Sequence, residues 1–194
     1  MRSLNLSIIV PTPDGGSLDR LAASLKGQLY PEDELLVIGD TTDGALPEVE
    51  AWVKQQPQWR YLDAGSTEHS WGHREINYGM TQATGDYILF QDDDDVYARG
   101  AIVNVHRAIR RAPLAPHLFR FQAARAGGRV YWTKKGSVVC GEIGGHCMVV
   151  PNVQEKLGKW TDAYTGDYDF IVETLRLWEP IAPVWREEVI VLAR

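Results

Sequence analysis

Apolar positions fall along this chain in two rhythms. Short apolar runs of strand length are followed by stretches in which apolar residues recur every three or four positions. Leu6 to Val10 is the first run, closed by the turn residues Pro11-Thr12-Pro13-Asp14-Gly15-Gly16. Ser17 caps a predicted helix over 18–26, with Leu18, Leu21, Ala22 and Leu25 at helical spacing and Gly27 as its stop. A second strand runs from Glu34 to Ile38 and ends in the polar loop Gly39-Asp40-Thr41-Thr42-Asp43-Gly44. Pro47 opens a second helix, to about Gln56, with glutamates at its positive end. Trp59 to Asp63 reads as a third strand, and Arg74 to Thr84 as a third helix stopped by Gly85. Tyr87-Ile88-Leu89-Phe90 then runs as a strand straight into Gln91-Asp92-Asp93-Asp94-Asp95, and Arg99 to Arg111 forms a strong helix.

This alternation of strand and helix predicts an α/β fold with a mostly parallel central sheet and helices on both faces. Runs that are apolar throughout, rather than at every second position, suit strands covered on both sides. In such sheets ligands bind outside the carboxyl ends of the strands, where the Pro11 loop, the Asp40 loop and the Asp92 run would gather. The second half has another rhythm. Leu118 to Ala123, Arg129 to Trp132 and Cys147 to Val150 read as strands, and Asn152 caps a short helix ending at Gly158. A helix follows from Asp169 to Trp178, stopped by Pro180, with terminal strands at Ile181–Trp185 and Val189–Leu192. No linker or repeat interrupts the chain, so residues 1–194 are expected to form one domain.

Composition changes this picture in a few places. The net charge of −6 argues against a nucleic-acid-binding surface. No apolar stretch reaches the roughly 18 residues that cross a bilayer, and the N-terminal run reads as a buried strand rather than a signal peptide. Cys140 and Cys147 make no disulfide framework, and with His146 they lack the spacing of a zinc site, which points to a reducing, cytoplasmic setting.

The candidate chemistry lies in the four aspartates. Two unit charges roughly 5 Å apart repel by about 3 kcal/mol at an effective dielectric near 20, so this cluster is either a solvated acidic loop or a cation site. Hard divalent ions such as Mg2+ or Mn2+ take oxygen ligands and bridge carboxylates to phosphates. A GxxxxGK[ST] loop is absent, and no GxGxxG follows the first strand. The pattern suits a nucleotide whose diphosphate is held by a metal rather than by a glycine-rich turn.

Four segments, in order, carry a family resemblance. They are Ile8-Ile9-Val10-Pro11-Thr12; Leu36-Val37-Ile38-Gly39-Asp40-Thr41-Thr42-Asp43-Gly44; Asn77-Tyr78-Gly79-Met80 with the stretch from Ala83 to Asp95; and Gly166-Asp167-Tyr168-Asp169-Phe170. Over roughly residues 6–178 the chain resembles a family 2 type glycosyltransferase of the GT-A fold. The resemblance implies a metal-dependent, inverting transfer of a sugar from a nucleotide-sugar, UDP-linked, to a hydroxyl acceptor. It makes residues 1–112 the nucleotide-binding half and 113–194 the acceptor half. Pro11 and Thr12 would hold the nucleoside, and Asp40 would accept the uracil N3–H. Asp92 would meet the ribose and the metal, and Asp94 the metal, with Asp93 and Asp95 on the opposite side of an extended chain. Asp167 would be the catalytic base. Three positions depart from the family pattern: Gly39 where an acid is common, Ile76 in place of an Arg, and Gly166 where a Glu usually precedes the base. Arg74 would then supply the diphosphate contact, and His69, His73, His146 and Trp160 are further candidates. A nucleotidyltransferase, or a member of the same fold that binds without turnover, are the rival readings.

Overall fold

The computed structural model describes residues 4–12, 18–39, 47–65 and 71–194. Strands β1 (Leu6–Thr12), β2 (Glu34–Gly39), β3 (Trp59–Asp63) and β4 (Tyr87–Phe90) lie side by side in the order β3-β2-β1-β4, all parallel. The helices between them are α1 (Leu18–Leu25), α2 (Pro47–Val53) and α3 (His73–Gln82). The pleat sends alternate side chains to opposite faces. Leu6, Ile8, Val10, Leu35, Val37 and Leu89 pack on one face against α1, α2 and α4 (Ala101–Arg111). Ile9, Leu36, Ile38, Ile88 and Phe90 pack on the other, against Ile76 and Met80 of α3 and Phe170 and Ile171 of α5 (Gly166–Leu177). Cover on both faces is why β1 is buried at every position and why its sequence shows no alternation. Gly79 lets α3 come close to the sheet, since a Cβ there would lie 2.7 Å from Ile9 Cγ2.

The second half extends the sheet with antiparallel partners. β8 (Met148–Pro151) pairs with β4, then β6 (His117–Ala123) pairs with β8, and β9 (Val184–Ala193) pairs with β6. β7 (Arg129–Tyr131) hangs on β6 and the two-residue β5 (Val96–Tyr97) on β9. The two predicted terminal strands are one ten-residue strand, irregular in register opposite Arg120. The predicted helix ending at Gly158 is only a single 3-10 turn, Gln154–Lys156. Asn152 does not cap it: its side-chain amide donates to the carbonyls of Ala83 (3.0 Å) and Gly85 (2.9 Å), tying the end of β8 to the entry of β4. α5 begins at Gly166, earlier than the apolar pattern indicates, so Asp167 lies in its first turn.

One buried polar cluster locks the frame. Asp33 accepts hydrogen bonds from the backbone N–H of Leu6 (3.0 Å) and Tyr30 (2.8 Å) and meets His106 Nε2 of α4 at 2.9 Å. A single carboxylate thereby joins the start of β1, the turn before β2 and a helix, and satisfies groups that would otherwise be buried without partners.

Candidate active site

The carboxyl ends of β1 and β4 open into a cleft of about 880 Å3. That size suits a small-molecule site. Pro11, Thr12, Asp92, Asp94 and Asp167 all line it. Asp40 and His69 lie outside the described residues.

After Phe90 the extended backbone gives way to a turn, closed by Asp95 N–H donating to Asp92 C=O at 3.3 Å. The alternation expected for the four aspartates therefore fails, and Asp95 folds back under Asp92. Asp93 accepts the Thr12 hydroxyl at 2.7 Å, which staples the ends of β1 and β4 together. Asp94 lines the cleft from the turn. Asp95 is 4% exposed and accepts the Arg194 backbone N–H at 2.9 Å.

The turn Gly145–Cys147, just before β8, brings His146 to the same place. Ligand atoms of Asp92, Asp95 and His146 all lie within 4.8 Å of one another. The imidazole rests edge-on against Phe121, with ring centroids 4.2 Å apart. His146 Nδ1 is 4.0 Å from Asp92 Oδ2, and Nε2 is buried with no protein partner. Gln91 is 1% exposed and neither of its side-chain amide atoms is hydrogen-bonded. Unpaired buried polar atoms are costly, so a cluster of them beside a cleft points to a ligand or ion.

The electrostatics agree. Burial, then Asp92 and Asp94, push the Asp95 carboxyl up to about 6, against the opposing Arg194 N–H and His146. Burial, then Asp94, Asp93 and Asp167, push Asp92 up to about 6. Protein surrounds the Asp92 carboxylate, yet 59% of its side-chain surface faces the open cleft. Solvent there weakens the burial effect, and the neighbouring carboxylates are the firmer cause. Burial holds His146 below the usual histidine range, with Asp95 and Asp167 opposing. A neutral imidazole keeps a lone pair for a metal.

Donors around a six-coordinate divalent ion at about 2.1 Å lie roughly 3 to 4 Å apart, close to the spread of this trio. Two carboxylates and one imidazole suit Mn2+ better than an all-oxygen Mg2+ site. The residues fit a divalent cation. Cys147 is buried, its thiol pushed up to about 12 by burial, and it takes no part in the cluster.

Asp167 lines the same cleft, and its Oδ2 and His146 Nε2 both flank Gly144, where a Cβ would lie 3.4 and 3.3 Å from them. The segment before Asp167 is sewn to α3: Asn77 Nδ2 donates to Trp160 C=O (2.8 Å), Trp160 N–H to Asn77 Oδ1 (3.1 Å), and His73 Nδ1 meets Thr161 C=O at 2.6 Å. Arg74 is engaged by Asp162, with Nε–Oδ1 at 3.2 Å and Nη2–Oδ2 at 3.0 Å. Trp160 is a wall rather than an exposed platform, 5% exposed and stacked on Phe170 at 5.2 Å. His73 also explains Gly166. A Cβ at 166 would lie 2.4 Å from Thr161 C=O and 2.5 Å from His73 Nδ1, so the imidazole fills the space a side chain there would need. Asp167 Oδ1 accepts the Tyr168 N–H at 2.7 Å, leaving Oδ2 for other contacts.

A trio that fits a divalent cation and the Asp167 carboxylate thus meet one cleft at the carboxyl edge of an α/β sheet, the arrangement of a GT-A fold. The Glycosyl transferase family 2 pattern matches residues 7–160, and the chain belongs to that family. Among solved structures it resembles S. aureus TarS 1-349 in complex with UDP-GlcNAc, with a TM-score of 0.72 and 15% identity over 98% of this chain and 58% of that one. It also resembles the mannosyltransferase PcManGT from Pyrobaculum calidifontis in complex with GDP-Man and Mn2+, with a TM-score of 0.69 and 14% identity over 96% of this chain and 56% of that one. The chain spans about three-fifths of the length of these solved chains. No curated protein sequence matches it. Among the described residues no helix is long and apolar enough to cross a membrane.

Proposed function

We infer that the chain transfers a sugar from a nucleotide-sugar, a UDP-sugar, to a hydroxyl acceptor with inversion at the anomeric carbon and with a divalent cation bound. The observation that carries this reading is the meeting of Asp92, Asp95 and His146 beside the cleft that Asp167 also lines. The described cleft lining contains no Lys or Arg, and neither do segments 13–17, 40–46 and 66–70. A donor diphosphate therefore needs its charge offset by something other than a basic side chain. Asp92, Asp95 and His146 would hold a divalent cation, which when bound would offset the charge of a leaving nucleoside diphosphate. Asp94, at the tip of the same turn, is the competing ligand.

Asp167 takes the proton of the acceptor hydroxyl through Oδ2, since Oδ1 is occupied by the Tyr168 N–H. Deprotonation coupled to direct attack on the anomeric carbon inverts its configuration. Pro11 and Thr12 flank the nucleoside, and Thr12 fixes the aspartate turn through Asp93. Asp40 is the proposed uracil reader. TarS has been solved with UDP-GlcNAc and PcManGT with GDP-Man, so the fold accommodates both bases. The Gly166 departure does not favour a non-catalytic member, because His73 accounts for it sterically.

A thermal-shift screen of nucleoside diphosphates and their sugars, with and without Mn2+, tests this. UDP at a hundred times its dissociation constant, with Mn2+, stabilises the folded state by about 2.7 kcal/mol, or roughly 5–10 °C in Tm. A chain that no nucleoside diphosphate stabilises, with or without metal, removes the reading. Pyrophosphate release from a nucleoside triphosphate would assign it to nucleotidyl transfer instead.

A further inference from the structure

Two large aromatic rings stand exposed at the cleft, and nothing in the donor and cation site uses them. Trp71 is 70% exposed and Tyr164 is 81% exposed, yet they touch each other, T-shaped, with ring centroids 5.5 Å apart. Both line the same cleft as Asp167. Tyr164 stands three residues before Asp167, on the segment that α3 holds in place. Trp71 takes a left-handed backbone conformation, φ 58°, followed by Gly72 at φ 78°. That conformation costs a β-substituted residue on the order of 1–2 kcal/mol and marks positions held for a reason other than local preference. Gly72 is packed on the ring of Pro11, where a Cβ would come within 2.8 Å, so the Trp71 ring is presented from the rim of β1.

The surroundings restrict what these rings can face. Glu75, Asp92, Asp93, Asp94 and Asp167 line the cleft, and no Lys or Arg does among the described residues. An anionic acceptor would meet repulsion without a paired cation of its own. A neutral pyranose offers an apolar face of polarised C–H groups, which the negative face of an indole or phenol ring attracts. Its hydroxyls would then point toward the carboxylates. We propose that Trp71 and Tyr164 form the acceptor subsite and that the acceptor is a neutral sugar, its pyranose ring stacked on this pair with one hydroxyl directed at Asp167 Oδ2. The subsite rests on the sugar-transfer reading for its role, although the rings bind a pyranose whether or not transfer follows.

The test separates the two. The Trp71 indole N–H resonance, assigned by its loss in W71F, is followed by NMR while methyl β-D-glucopyranoside, methyl β-D-galactopyranoside, methyl β-D-glucuronide or choline is added to the whole chain. The neutral glycosides are expected to shift it saturably, and the glucuronide and choline are not. In parallel, W71A and Y164A are expected to raise KM for the best glycoside about tenfold, with Kd for UDP and Mn2+ changed less than about twofold; W71F and Y164F stay near wild type because they keep a ring. Three results overturn the subsite: no glycoside shift in a protein that does bind UDP, a weakening of UDP binding that matches the KM change, or saturable binding of choline in place of sugars. Glycoside shifts in a protein that binds no nucleoside diphosphate would uphold the subsite while removing the transfer reading.

Discussion

Asp95→Asn is expected to make the metal-free protein more stable and to take away its response to Mn2+. Asp95 lies under Asp92 with 4% of its surface exposed, and burial followed by Asp92 and Asp94 raises its carboxyl from an ordinary 3.8 to about 6. The folded state therefore binds this proton more tightly than the unfolded chain does. As pH climbs from about 4 to about 6, the unfolded state releases the proton first and stability falls; above that window the penalty is complete. The gap between 3.8 and about 6 corresponds to roughly 3 kcal/mol at 1.36 kcal/mol per pH unit. Asp92 raises this value and shares the proton, so about 1–2 kcal/mol is the expected gain at pH 7.5. Asn retains an oxygen for the Arg194 N–H, so that hydrogen bond survives. In EDTA the variant should melt about 2–8 °C above the parent, whereas adding Mn2+ should raise the parent and leave the variant nearly unchanged. Asp94→Asn serves as the control, with a small change in EDTA and most of the Mn2+ response kept. A variant at position 95 that melts below the parent in EDTA, or that gains as much from Mn2+, would refute the assignment of Asp95 to a cation site.

Asp167→Asn should keep UDP and Mn2+ binding by calorimetry and lower transfer at least about a hundredfold; wild-type turnover would remove Asp167 as the base. Gly166→Ala places a Cβ 2.4 Å from Thr161 C=O and 2.5 Å from His73 Nδ1. Overpacking of about 1–3 kcal/mol should outweigh the helix-propensity gain of up to about 1 kcal/mol, and urea denaturation at least as favourable as the parent's would contradict this. His117 is fully buried, with Nε2 against Ala112 C=O (3.1 Å) and Nδ1 accepting from Arg186 (3.3 Å). Burial lowers it from 6.5 to about 4, so the unfolded chain takes up the proton first as pH falls through that window and up to about 3 kcal/mol of stability is lost. The stability difference between the parent and His117→Asn should therefore shrink between pH 7 and pH 4, and a constant difference would show that His117 titrates normally.

The parallel half of the sheet was legible in the sequence because its signals are local. Continuous apolar runs mark strands covered on both faces, and the turn residues after Val10, Ile38 and Phe90 mark the edge where ligands bind. Pro11, Thr12, Asp92, Asp94 and Asp167, which the family resemblance singled out, all line one cleft. Hydrophobic pattern could not separate the roles of four adjacent aspartates, because that depends on the chain leaving extended geometry and turning at Asp92. His146 reaches Asp95 only through the pairing of β8 with β4, and Trp71 meets Tyr164 only because α3 holds the segment from Trp160 to Asp162. Gly166 read as a lost glutamate in sequence, and it became a packing requirement once His73 was found against it. Periodicity and turn chemistry act over a few residues, so the sequence by itself determined the elements of the parallel half and the edge at which they end. Contacts between distant segments depend on how those elements stack, and the partners of each site residue were decided there.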